Sequence, residues 1–154
     1  MRIDLIIDGT AESVEIDPGE SLMSVLRRLG HASVKNGCDR GDCGSCAVIL
    51  DGRAVNACLV FAAKGDGSKI TTIAGLAAPG LHHLQSASLD AGAVQCGFCT
   101  PGMLLTALDL IERTPRPSEA EVRRALAGNY CRCTGYVKPI EAILAAADRM
   151  GERR

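Results

Sequence analysis

Gly37-Cys38-Asp39-Arg40-Gly41-Asp42-Cys43-Gly44-Ser45-Cys46 sets three cysteines among glycines in a C-x4-C-x2-C run. A fourth, Cys58, follows after eleven intervening residues. One iron–sulfur cluster takes four thiolates, and this spacing is the plant-type 2Fe–2S pattern. The glycines have a geometric reason. A loop that wraps a cluster must turn its backbone N–H groups towards the sulfurs, which calls for positive φ or close approach. Such hydrogen bonds raise the reduction potential by stabilising the added negative charge. Zinc also uses four cysteines, but its sites usually pair two C-x-x-C knuckles, and this loop is not built that way.

Outward from this loop the first half alternates. Ile3, Leu5 and Ile7 share one face of a strand, and Asp8-Gly9 is a hairpin signal before Val14 and Ile16 on the returning strand. Pro18-Gly19 turns the chain. Leu22, Val25, Leu26 and Leu29 fit one face of a helix that Gly30 stops. Ala47 to Leu50 form an apolar strand, Asp51-Gly52 is a second hairpin signal leading into Arg53-Ala54-Val55, and a last strand is expected near Ile70-Thr71-Thr72. These elements predict a small α+β domain over 1–74.

A second set of four cysteines lies in a helical half, 75–154: Cys96 and Cys99 as C-x-x-C, then Cys131 and Cys133 as C-x-C. Thr100-Pro101 reads as an N-cap with Pro at the first helical position, ahead of a stripe of Leu104, Ala107, Leu108 and Ile111. Ser118 and Glu121 form a capping box before Val122 and Leu126. Pro139 opens a helix striped by Ile140, Ile143, Leu144 and Ala147, and a weaker helix covers Leu81 to about Ala91. Four short helices predict an all-α four-helix bundle. The boundary is expected between Ile73 and Gly80. On spacing alone the second set is less specific than the first, and zinc is a fair rival. A thioredoxin-like C-x-x-C is a weaker one, because it belongs beside a βαβ unit. Helix N-termini near these cysteines favour a negatively charged cluster.

The remaining composition excludes more than it assigns. A net charge of −1 gives no electrostatic case for nucleic acid or anionic membrane, and two oxidised clusters would take it to about −5. No apolar run approaches the roughly 20 residues of a membrane span. Met1-Arg2-Ile3-Asp4 is not expected to open a signal peptide. A cytoplasmic location is expected, where paired cysteines read as metal ligands rather than disulfides. His31, His82 and His83 read as surface or packing residues. With no Ser/His/Asp constellation, Walker loop or G-x-G-x-x-G, no catalytic residue and no substrate chemistry are expected within this chain.

The run from Gly37 through Cys46-Ala47-Val48-Ile49-Leu50-Asp51-Gly52, with Val55-Asn56-Ala57-Cys58-Leu59, resembles the N-terminal cluster domain of the molybdenum hydroxylases, the xanthine oxidase family. Gln95-Cys96-Gly97-Phe98-Cys99-Thr100-Pro101-Gly102-Met103 and Tyr130-Cys131-Arg132-Cys133-Thr134-Gly135-Tyr136 resemble that family's second cluster motif. The likeness spans nearly the whole chain and favours 2Fe–2S for the second set. At this length it implies a separately encoded small iron–sulfur subunit. It further implies a β-grasp, plant-ferredoxin-like domain ahead of the helical bundle. Electrons would come from a molybdopterin cofactor on a large partner subunit. They would cross the helical-domain cluster, then the ferredoxin-like cluster, and leave to FAD on a medium subunit or to a cytochrome, in a dimer of heterotrimers. By the family pattern Gln95 would hydrogen-bond the pterin and Cys133 would lie close to it. The plainer role for Gln95 is a polar residue closing the helix start, and a free-standing two-cluster carrier is the alternative function.

Overall fold

The two Asp-Gly pairs both make the turns their chemistry dictates. Asp8 (φ 51°) and Gly9 (φ 84°), like Asp51 (φ 46°) and Gly52 (φ 83°), occupy the left-handed region at both central positions of a type I′ turn. The first joins β1 (Arg2–Ile7) to β2 (Thr10–Glu15), with Ile3 opposite Val14. The second joins β3 (Ala47–Leu50) to β4 (Arg53–Asn56), with Val48 opposite Val55. The structure, a computed structural model, describes residues 1–77 and 79–151. In it β5 (Lys69–Thr71) runs parallel to β1 and antiparallel to β3, giving a mixed sheet in the order β2-β1-β5-β3-β4.

Helix α1 (Leu22–Arg28) starts where the Ser21 hydroxyl accepts the Ser24 amide at 3.2 Å and ends before Gly30 (φ 95°). It lays Leu22, Met23, Val25 and Leu26 onto Ile3, Leu5, Ile7 and Ile70. Burying each of these side chains stabilises the fold by about 1.5–3 kcal/mol. Thr72, expected in the last strand, is outside it. The Asp8 carboxylate accepts both its amide and its hydroxyl, each at 2.7 Å. So held, Thr72 caps α2 (Ile73–Leu76), a helix too short for periodicity to reveal. The expected boundary region therefore contains α2; it also crosses residue 78, which lies outside the described residues, as do 152–154 of the helical half.

Beyond α2 the chain is helical. The weak helix expected from Leu81 is α3 (His83–Asp90), and His82 is its cap: Nδ1 accepts the Leu84 amide at 3.2 Å while the Gln85 side chain accepts the His82 amide at 2.8 Å. In α4 (Thr100–Arg113) the cap is Cys99, one residue earlier than expected, because the Cys99 carbonyl already accepts the Met103 amide at 3.1 Å. Pro101 is accordingly the second helical residue, where its missing N–H costs nothing. Ser118 and Glu121 form the expected capping box of α5 (Glu119–Ala125). Helix α6 runs Val137–Gly151 and starts two residues before Pro139, which the first turn tolerates for the same reason. Leu104, Leu105, Ile111, Val122, Ile140 and Ile143 form the core of this half.

The two halves share a seam. All of Ala47, Val48 and Ile49 are buried, because β3 is covered on both faces. Val48 joins the core under α1, whereas Ile49 joins the helical core with α4. At the edge of the seam the nearly buried Asp109 of α4 accepts from Arg53 of β4 at 3.0 Å and from Arg113 at 2.9 Å.

Candidate metal centres

The eight cysteines are free thiols that gather in pairs. In the strand half the Cys43 amide points at the Cys38 sulfur, 3.4 Å away, and the two side chains adjoin. Cys46 and Cys58 form the second pair. In the helical half Cys96 and Cys133 lie 3.6 Å apart, sulfur to sulfur, and Cys99 adjoins Cys131. Two thiolates on one tetrahedral ion, each bonded at about 2.3 Å, lie about 3.7 Å apart. Among the described residues no three His, Cys, Asp or Glu side chains converge as a single ion would require. Two such pairs in each half match in number the four-thiolate donor set of a cluster with two irons. The pairing also crosses the motifs, since each cysteine of C-x-x-C pairs with one of C-x-C.

The backbone explains how each pair is presented. Asp39 (φ 57°), Gly41 (φ 89°) and Gly44 (φ 65°) curl the first loop with left-handed residues. Such a nest of amides suits an anion. Amides of Arg40 and Cys43 aimed at Cys38 bring its thiol down to about 7. Burial pushes Cys46 up to about 12. In the second site burial, and then the neighbouring Cys131, push Cys99 up to about 12. Burial also raises Cys131, but hydrogen bonds from the Thr134 hydroxyl and amide outweigh it and leave that thiol below its ordinary value. Cys133, at the surface, is raised by its contact with Cys96.

A tyrosine at the end of the second motif organises the second loop. Tyr136 sits at φ 68°, and its hydroxyl accepts the Cys131 amide at 2.9 Å while donating to the Asn129 carbonyl at 3.1 Å. Phe98 and Tyr130 do lie at the surface, 45% and 60% exposed. Gln95 donates to the Cys133 carbonyl at 3.2 Å, tying the C-x-x-C loop to the C-x-C loop on the exposed side of the site. Beside the first site Leu59 and Phe61 are exposed. Among the described residues no helix is long and apolar enough to cross a membrane.

Comparison with known proteins agrees with this geometry. Residues 5–70 match the 2Fe-2S iron-sulfur cluster binding domain, and residues 72–144 match the [2Fe-2S] binding domain. The nicotinate dehydrogenase small FeS subunit of Eubacterium barkeri is 45% identical over 97% of this chain and 96% of its own. The xanthine dehydrogenase iron-sulfur-binding subunit of Escherichia coli O157:H7 is 43% identical over 94% and 92%. Quinoline 2-oxidoreductase from Pseudomonas putida 86 superposes with a TM-score of 0.92 at 41% identity, covering 99% of this chain and 98% of that one. Aldehyde oxidoreductase from Desulfovibrio gigas gives 0.94 at 38% identity, but there the match occupies 18% of a longer chain. The chain belongs to the small iron–sulfur subunits of the molybdenum hydroxylase family. It is a two-cluster protein, and its thiol pairs fit two 2Fe–2S groups.

Proposed function

We propose that this chain is the electron-transfer subunit of a molybdopterin-dependent hydroxylase or dehydrogenase complex. The observation that carries the reading is the gathering of all eight cysteines into four pairs, two in each half of the chain, on loops that touch. Cys38, Cys43, Cys46 and Cys58 would hold the ferredoxin-like cluster. Cys96, Cys99, Cys131 and Cys133 would hold the helical-domain cluster. The chain itself contributes no catalytic residue. It takes single electrons from the large molybdopterin subunit at the exposed edge of Cys96 and Cys133, with Gln95 reaching the pterin. They leave from the strand half to FAD on a medium subunit or to a cytochrome. The apolar character of Phe98, Tyr130, Leu59 and Phe61 supports docked faces over a free carrier, which would present charge there. We place the division at 1–74 and 75–154 with α2 as the join, and read α3 to α6 as a four-helix bundle. Cysteines that serve as metal ligands rather than disulfides favour a reducing cytoplasm. A dimer of heterotrimers is the proposed assembly.

Relatives named for nicotinate, nicotine and xanthine are alike in similarity, 45%, 42% and 43% identical. A part shared so evenly across different substrates does not select among them. Metal and sulfide analysis of the purified complex tests the reading. About four irons per chain, matched by acid-labile sulfide, is the expected result. Zinc without sulfide sinks it, and a stable, freely exchanging monomer returns the free-carrier alternative.

A further inference from the structure

The two cluster loops meet around the Gly44 carbonyl, and the fit there has no slack. The Asn129 side chain, buried at 4% exposure, donates from Nδ2 to the Gly44 carbonyl at 3.2 Å. Next to it the Tyr130 amide donates to the Cys43 carbonyl at 2.9 Å. Residue 44 has no room for a side chain, because a Cβ there would collide with the Asn129 amide and the Gly128 carbonyl. Residue 102, in the first turn of α4, has none either, since its Cβ would collide with the Gly44 carbonyl. Three segments therefore close on the Gly44 carbonyl: the first cluster loop, the start of α4 after Cys99, and the residue two before Cys131.

We infer that Asn129, seated between Gly44 and Gly102, is a positioning residue that sets the separation and electronic coupling of the two clusters. The inference rests on the ligand assignment proposed above. Cys43 and Cys131 are joined through this point by backbone bonds and a single hydrogen bond, Cys43 carbonyl to Tyr130 amide. A buried amide side chain is costly to desolvate unless its hydrogen bond is made, so Asn129 holds that junction in one geometry. The step it serves moves one electron and no atom or proton: the helical-domain cluster is oxidised by one electron as the strand-domain cluster is reduced by one.

Asn129→Ala in the complex as isolated tests this. Two electron paramagnetic resonance signals with unchanged potentials are expected, together with a smaller magnetic interaction between the reduced clusters and several-fold slower exchange after single-electron injection. Arg53→Gln, which cuts the seam at its exposed edge, should leave interaction and exchange as they were. If Asn129→Ala lowers stability but leaves interaction and exchange intact, the inference is overturned. Equal loss of coupling in Arg53→Gln overturns it too, since spacing would then belong to the whole seam. Should Asn129→Ala shed a cluster, Asn129→Ser is read the same way. Loss of a cluster from both variants also overturns it, because Asn129 would then build a site rather than space two. Failure of the ligand assignment looks different: the unmutated complex itself would lack two signals.

Discussion

The two proposed four-thiol sites, one in each half, are built from the chain in opposite ways. The first draws three of its cysteines from a single loop, curled by left-handed residues, with Cys46 buried beneath it. The second is stitched from two distant loops, tied by Gln95 and shaped by Tyr136, with Cys96 and Cys133 at the surface. A loop that carries its own geometry needs little from the rest of the fold. A stitched site depends on the helices that bring its halves together, and in exchange it exposes one edge. That edge suits electron entry from a partner.

The largest expected effect separates the sites outright. Cys43→Ser should abolish the strand-half resonance and keep the helical one, and Cys99→Ser should do the reverse, both read by electron paramagnetic resonance. Loss of both signals in either variant breaks the comparison, because the sites would then assemble as one.

A smaller effect asks whether the halves unfold together. Ile49 lies on β3 yet belongs to the helical core, so Ile49→Ala should cost about 3 kcal/mol. Denaturant unfolding followed by circular dichroism and by cluster absorbance should show both signals moving to lower denaturant. A shift in one probe alone shows that the seam does not couple them.

The smallest effect lies in α3. His82 must be neutral for Nδ1 to accept the Leu84 amide, and burial, with His83 beside it, holds its pKa below the ordinary value. A lowered folded pKa means the cap is fully effective above about pH 6.5 and is lost as pH falls through the folded value. His82→Asn keeps an acceptor that does not titrate. The thermal midpoint of the parent should therefore fall relative to this variant between about pH 7.5 and about pH 5. Parallel midpoints refute the cap's titration.

How much of this was legible beforehand follows range along the chain. The C-x4-C-x2-C spacing, the two Asp-Gly turns and the Ser118–Glu121 box are local, and they stand where local chemistry puts them. Asn129 and Asp109 carry no such mark. One is an Asn in a loop and the other an acid inside an apolar stripe, and only partners from the other half give them meaning. The crossed pairing of the second set escapes spacing for the same reason. The cap of α4 was misplaced by one residue because Thr is the better capping side chain, whereas here the Cys99 carbonyl starts the helix and no side chain caps it.

Tyr136 has one more consequence. A non-glycine residue at φ 68° costs on the order of 1–3 kcal/mol, and here the expense is met by a phenol bracing Asn129 and Cys131. The strut is made wholly of protein atoms. The Cys131 arm therefore takes part of its shape from the phenol of a residue five positions on, and Tyr136→Phe would leave the Cys131 amide and the Asn129 carbonyl without that partner.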